Sequence, residues 1–153
     1  DGLLPVRETN DYIELGADLS QYFGFGEYLV ARVSNVSRGN FDLSVKGPGL
    51  RKLGPGKIIT VNSSRVPRII GKQGSMIGMI KEKTDCRITV GQNGIIWIQG
   101  DTEQEFVAAE AIQFIDDHCF EEGLTDKVGS LLEEKMKSIP KKKEEPSPKG
   151  GKE

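Results

Sequence analysis

From Gly26 to Lys46 apolar and polar positions alternate with period two. Leu29, Ala31 and Val33 fall on one face, and Tyr28, Val30, Arg32 and Ser34 on the other. After Ser37-Arg38-Gly39-Asn40 the alternation resumes, with Phe41, Leu43 and Val45 set against Asp42, Ser44 and Lys46. Two such runs across a short turn predict a β-hairpin. The pattern ends at residues 47–56, Gly-Pro-Gly-Leu-Arg-Lys-Leu-Gly-Pro-Gly, where Gly and Pro recur too often for a strand or helix to continue. Only Leu50 and Leu53 anchor this stretch, which predicts a short linker packed between two modules.

The pattern changes beyond it. Lys57 to Asn62 reads as a strand, Pro67 suits the first turn of a short helix ending at Gly71, and Ser75 to about Thr84 reads as a second helix. Cys86 to Val90 and Ile95 to Gln99 predict a hairpin across Gly91-Gln92-Asn93-Gly94, because Asn-Gly readily takes the positive φ of tight turns. Thr102-Glu103-Gln104-Glu105 reads as a capping box opening a third helix, with Val107, Ala111, Phe114, Ile115 and His118 on one face. Leu124 to Ile139 predicts a further amphipathic helix through Val128, Leu132, Met136 and Ile139. Residues 140–153 hold no apolar side chain to bury and are expected to be disordered. The result is an α+β chain: a β-module at 1–46, a linker at 47–56, a strand-helix-helix-strand-strand-helix unit at 57–122, a C-terminal helix at 123–139 and a tail.

Composition narrows the function. At 153 residues and 36% apolar content the chain can form one ordinary domain or two small ones. No run approaches the roughly eighteen apolar residues of a spanning helix, and the N-terminus lacks a signal peptide's basic stretch and apolar block, so a soluble cytoplasmic protein with no membrane partner is expected. The chain opens with Asp1-Gly2-Leu3-Leu4-Pro5 rather than Met, which suggests a fragment whose upstream part is missing. Cys86 and Cys119 are too few and too far apart for a metal knuckle and read as small core residues. Net charge is −2, yet residues 57–100 carry seven basic side chains against two acids, and residues 101–126 carry nine acids with no Lys or Arg. Local field decides where an anionic polymer settles, although such segregation also arises from plain solvated faces.

The chemistry concentrates at Ile69-Ile70-Gly71-Lys72-Gln73-Gly74-Ser75-Met76-Ile77, a Gly-x-x-Gly turn between two apolar helical segments. Two glycines bare the backbone so that a phosphate chain can lie against its N–H groups, and Lys72 adds charge at that point. A structural helix-turn-helix corner is the plain alternative, and a lone Gly-x-x-Gly is a weak signal. Gly91 and Gly94 share the spelling but sit in a hairpin, where the turn itself explains them. Gly78 inside the second helix costs roughly 1 kcal/mol against Ala and suggests close packing by something outside the domain. Asp85 places a negative charge at the unfavourable pole of that helix. Trp97 can stack a base or serve a core or interface, the interface reading being preferred, and His118 reads as a helix-end cation with no nucleophile motif beside it. No enzyme, metal or cofactor is expected.

The order of elements, with Gly71-Lys72-Gln73-Gly74 between the first two helices, then Lys81-Glu82-Lys83-Thr84 and Cys86-Arg87-Ile88, resembles a type I KH domain, a three-stranded sheet with three helices. The resemblance implies that Gly71 to Ser75 clamps the backbone of about four nucleotides while bases lie in an apolar groove. Ile70, Ile77, Ile88 and Val90 are the groove candidates. Arg68, Lys81 and Arg87 belong to the basic stretch, the last two reaching phosphates or base edges from the rim unless they are merely solvated. Gly26 to Val33 and Asp42 to Lys46 resemble the end of an OB-type barrel of the ribosomal-protein S-one kind, on whose RNA face Arg32 and Arg38 are candidates.

A partial barrel followed by one KH domain is similar to the RNA-binding cap subunit of the archaeal exosome, over about Gly26 to Ile115. That resemblance implies a non-catalytic protein in three copies on a hexameric ring of RNase PH-like subunits, capturing single-stranded RNA and feeding its 3′ end inward. The rivals are a NusA-type transcription factor, which normally carries two KH domains of the other topology, and a polynucleotide phosphorylase, which needs a catalytic core. A further rival is a KH-fold scaffold acting mainly through protein contacts.

Overall fold

The computed structural model describes residues 2–140, so the expected disorder of the tail lies almost wholly outside the described residues. The chain divides into two compact units, Asp1–Ile58 and Ile59–Glu153.

The first unit is built from short strands. β1 (Gly2–Leu3), β3 (Arg32–Ser37) and β4 (Asn40–Ser44) form a sheet in the order β1-β4-β3, with β1 parallel and β3 antiparallel to β4. β2 (Leu29–Val30) pairs antiparallel with β5 (Arg51–Lys52) in a second sheet. The predicted hairpin is present. Its turn is the pair Arg38-Gly39, both at positive φ (47° and 83°), which matches the twist of the flanking strands.

Two expectations in this unit need correction. The run from Tyr28 to Ser34 is not one strand: it changes partners at Ala31, from β5 to β4, and a bulge between Val33 and Asn35 then shifts the register. β3 is exposed along its whole length, Val33 included. The Gly-Pro stretch does hold a strand, because a two-residue ladder needs only Arg51 and Lys52, and the Leu53 N–H extends it to the Tyr28 carbonyl at 2.8 Å.

The second unit packs helices on one sheet. β6 (Lys57–Thr60), β8 (Ile95–Gln99) and β7 (Arg87–Val90) lie in the order β6-β8-β7, so β7 is an edge strand. Against them pack α1 (Val66–Ile70), α2 (Ser75–Thr84), α3 (Thr102–Asp117) and α4 (Leu124–Lys137). The core runs through Ile69, Ile80, Ile96, Ile98, Ile112 and Ile115, all fully buried. Leu124, Val128 and Leu132 of α4 join the same core, so the C-terminal helix is a layer of this unit and not an appendage to it. Its 3.6-residue stripe has an apolar surface on α2 and α3 to cover.

Local signals hold here with small shifts. The third helix is capped one residue earlier than predicted: Asp101 is the N-cap and Gln104 returns the bond, its carbonyl accepting from the Asp101 N–H at 3.3 Å. Asp85 ends α2 in the left-handed region (φ 52°), a conformation that Asp tolerates better than most residues. At Gly91 to Gly94 only Gly94 takes positive φ, so this loop is not the primed turn that Asn-Gly predicted. Cys86 is buried, which pushes its thiol up, whereas Cys119 is only half-buried.

Candidate nucleic-acid interface

Why the chain turns at Gly71 follows from geometry. Gly71 has φ 75° and ψ 174°, and a Cβ placed there would lie 2.7 Å from Met76 Cβ and 2.8 Å from Met76 N. Gln73 and Gly74 follow in the left-handed region, with φ of 56° and 75°. Three positive φ values in four residues throw Lys72 and Gln73 outward, and both are exposed, as is Ser75. The glycine N–H groups are not the ones on offer. The Gly71 N–H donates to Pro67 O at 3.0 Å and the Gly74 N–H to Gly71 O at 3.2 Å, so the glycines shape the corner while Lys72 and Gln73 face outward from it.

The groove candidates divide by depth. Ile77 and Ile88 are 8% and 5% exposed and belong to the core. Ile77 falls there because α2 buries the stripe Met76, Ile77, Ile80 and Thr84. Only Ile70 and Val90 are half-buried at its border, so they form the accessible apolar rim, with Ile77 and Ile88 beneath.

The structure also sorts the cations, which sequence could not. Arg65 donates to Asp116 O at 2.6 Å and lies 3.4 Å from the Asp116 carboxylate. Arg68 donates to Glu121 O at 3.3 Å, and Lys83 pairs with Glu133 at 2.7 Å. That last hydrogen bond holds the Glu133 carboxyl below its ordinary range, as the bond from Lys127 does for Glu121. Lys72, Lys81 and Arg87 are exposed and form no ion pair among the described residues. Three cations of the basic stretch therefore brace the fold, and Lys72, Lys81 and Arg87 are available to an anion. Arg68 moves from the second group to the first. Arg32 and Arg38 are exposed but belong to the other unit.

The remaining candidates resolve differently. The Gly91–Gly94 loop is engaged within the fold: Gly94 O accepts from the Val61 N–H at 2.8 Å and Gly91 N–H donates to Ile95 O at 2.9 Å. Trp97 is 4% exposed, too deep to stack a base in this state. His118 caps α3, stacks on Phe114 at 4.1 Å between ring centroids, and meets Phe114 O through Nδ1 at 2.9 Å. Gly78 is exposed with open space around it.

Comparison with known proteins points the same way. A family model described as the KH domain matches residues 56–115. Exosome complex component Rrp4 of Thermoplasma volcanium is 44% identical over 133 residues, which is 86% of this chain and 56% of the relative. Its counterpart in Methanothermobacter thermautotrophicus is 41% identical over 133 residues, covering 86% and 42%. A solved structure assigned as an exosome complex RNA-binding protein superimposes with a TM-score of 0.76 at 30% identity, covering 88% of this chain and 79% of that one. The chain belongs to the Rrp4 family of exosome components. It spans about half the length of the curated relatives it matches.

Within that family's KH domain, sequence reading missed the anions that hold the basic stretch. Glu133 and Asp116 each take a cation out of play, from α4 and from the end of α3. The only local signal for Asp116 was the acidic run at 101–126, which says nothing about which cation it meets, and Glu133 lies beyond that run. Among the described residues no group of three His, Cys, Asp or Glu side chains converges, and no helix is long and apolar enough to cross a membrane.

Proposed function

We propose that this chain is a non-catalytic RNA-binding subunit of an exosome, which captures single-stranded RNA and delivers its 3′ end to an RNase PH-like ring for degradation or tailing. The observation that carries the reading is the Gly71–Gly74 corner. Its backbone is held open by three positive φ values, with Lys72 and Gln73 exposed at the tip and Lys81 and Arg87, exposed and in no ion pair among the described residues, in the same unit. A phosphate chain laid on that corner meets outward-facing backbone and a cation without displacing any internal bond. Membership of the Rrp4 family supports the exosome as the assembly.

In this reading residues 1–46 are the later strands of an OB-type barrel, the subunit is present in three copies, and the complex works in the cytoplasm. The test is Lys72→Asp combined with Gln73→Asp. Affinity for a short oligoribonucleotide, followed by fluorescence anisotropy, is expected to fall by at least about tenfold while thermal unfolding stays in place, because neither side chain is buried. Unchanged RNA affinity would make the KH fold a scaffold for protein contact. Purification of the intact protein from its native source with RNase PH-like subunits checks the assembly, and their absence removes it.

A further inference from the structure

The Gly71–Gly74 corner stands on two unequal helices. α2 has ten residues and buries Met76, Ile77, Ile80 and Thr84, whereas α1 has five and buries only Val66 and Ile69. A helix of little more than one turn does not hold its own geometry, because few hydrogen bonds oppose the cost of nucleating it. Two arginines tie it down. Arg65, immediately before α1, donates through Nη1 to Asp116 O at 2.6 Å and lies 3.4 Å from Asp116 Oδ1. Asp116 is 8% exposed, so water competes poorly for these bonds. Arg68, within α1, donates through Nη2 to Glu121 O at 3.3 Å. Glu121 is itself fixed: its N–H donates to His118 O at 2.9 Å and its carboxylate is bonded by Lys127. Both ties therefore end on the last turn of α3 or the loop after it, 51 and 53 residues along the chain.

We infer that Arg65 and Arg68 are positioning residues for RNA binding, acting through α1 to set the direction in which Lys72 and Gln73 stand. The inference rests on the proposed function of the corner. Transmission is short: the Gly71 N–H closes the end of α1 on Pro67 O at 3.0 Å, and Lys72 is the next residue. A phosphate grip needs its donors held to within about 0.5 Å, so a small roll of α1 lowers affinity without touching any RNA contact. Lys83 supplies the contrast. It makes the same kind of tie, to Glu133 at 2.7 Å, but from the last turn of α2, at the far end of that helix from the corner. A tie that only stabilises the fold acts alike in either place, whereas a positioning tie acts on RNA only beside the corner.

The test measures oligoribonucleotide affinity over a range of salt by fluorescence anisotropy, together with the backbone amide NMR shifts of Lys72 and Gln73 in the free protein. Arg65→Met combined with Asp116→Asn removes cation and anion together, so net charge is kept and no buried carboxylate is stranded. Affinity is expected to fall about fivefold at an unchanged salt slope, with both amides shifted. Arg68→Met, at an exposed position, is expected to do the same, and Arg68→Lys to recover part of the loss by reaching Glu121 O with its ammonium. Lys83→Ala should move neither readout. Full affinity in both methionine variants, or amides that stay in place, overturns the inference, as does an equal loss from Lys83→Ala. A slope reduced by about 0.7 in Arg68→Met also overturns it, by making Arg68 a phosphate contact. If the Arg65 variant does not fold, Arg68→Met decides. A wild type that does not bind the oligoribonucleotide removes the proposed function itself and the inference with it.

Discussion

Gly71-Lys72-Gln73-Gly74 and Gly91-Gln92-Asn93-Gly94 are spelled almost alike, lie in the same unit and expose their middle residues, yet only the second has its backbone bonded by a segment distant in sequence. In the first, positive φ at Gly71, Gln73 and Gly74 turns the middle residues away from the domain. In the second, only Gly94 has positive φ, and its carbonyl is engaged by the N–H of Val61, the residue after β6. The difference teaches that the spacing of glycines selects a tight turn and nothing more. What the turn joins decides whether its backbone is spent on the fold or offered to a ligand. Two helices leave the corner standing clear, while a hairpin loop is closed by the neighbouring strand.

The sharpest way to break this comparison is to put a side chain on each turn. Gly71→Ala and Gly94→Ala both force a Cβ into the left-handed region and into close contact, with Met76 in one case and with Val61 O in the other. Each is expected to lower stability by about 2–3 kcal/mol in urea unfolding. Only Gly71→Ala should also weaken RNA binding by the molecules that remain folded. Equal RNA loss in both variants would erase the distinction between the turns.

A smaller effect comes from charge at the tips. Gln92→Asp combined with Asn93→Asp should leave oligoribonucleotide affinity within about twofold, against the loss of at least about tenfold expected for the acidic pair at Lys72 and Gln73. The cations sharpen the contrast further. If Lys72, Lys81 and Arg87 each neutralise one phosphate, log affinity should fall with log salt at a slope of about −2, and removing any one should reduce that slope by about 0.7. Arg65→Lys and Lys83→Ala should leave the slope alone, since those cations are held by Asp116 and Glu133. A flat salt response, or an equal change from all five, would show that the free and braced cations are not distinct.

The smallest effect is at the braced pair itself. The folded Glu133 carboxyl lies below its ordinary value of 4.5 because Lys83 bonds to it. Its contribution to stability is therefore in place above that value and is lost as pH falls through the lowered one. Glu133→Gln should flatten slightly the acid limb of a thermal-unfolding profile below about pH 4.5 and leave neutral-pH RNA affinity unchanged.

What could be read along the chain was local. Pro67 and Gly71 bound the first helix, the stripe through Met76, Ile77 and Ile80 sets the buried face of the second, and the hairpin at Arg38-Gly39 follows from alternation broken by a turn. Each of these depends on residues within one or two turns of each other, whose dihedral preferences and side-chain spacing are carried by the sequence itself. The capping box slipped by one residue because Asp101 and Thr102 are both good caps, and only the first lies outside the helix.

Tertiary structure decided the rest, because partners distant in sequence compete for the same groups. Leu29, Ala31 and Val33 share one face of the alternation, yet Val33 lies in a strand exposed on both faces while Leu29 and Ala31 are half-buried. Arg51 and Lys52 form a strand inside a Gly-Pro stretch because Leu29 and Val30 present a free edge. α4 became part of the core because α2 and α3 left an apolar face for Leu132 to cover. Above all, the sequence by itself determined that a Gly-Lys-Gln-Gly corner would form between two helices. Only the fold decided that Arg68 and Lys83 would be tied to Glu121 and Glu133 across 53 and 50 residues while Lys72 stayed free. A charge is available or spent according to what lies within hydrogen-bond reach, and that distance does not exist until the chain has closed upon itself.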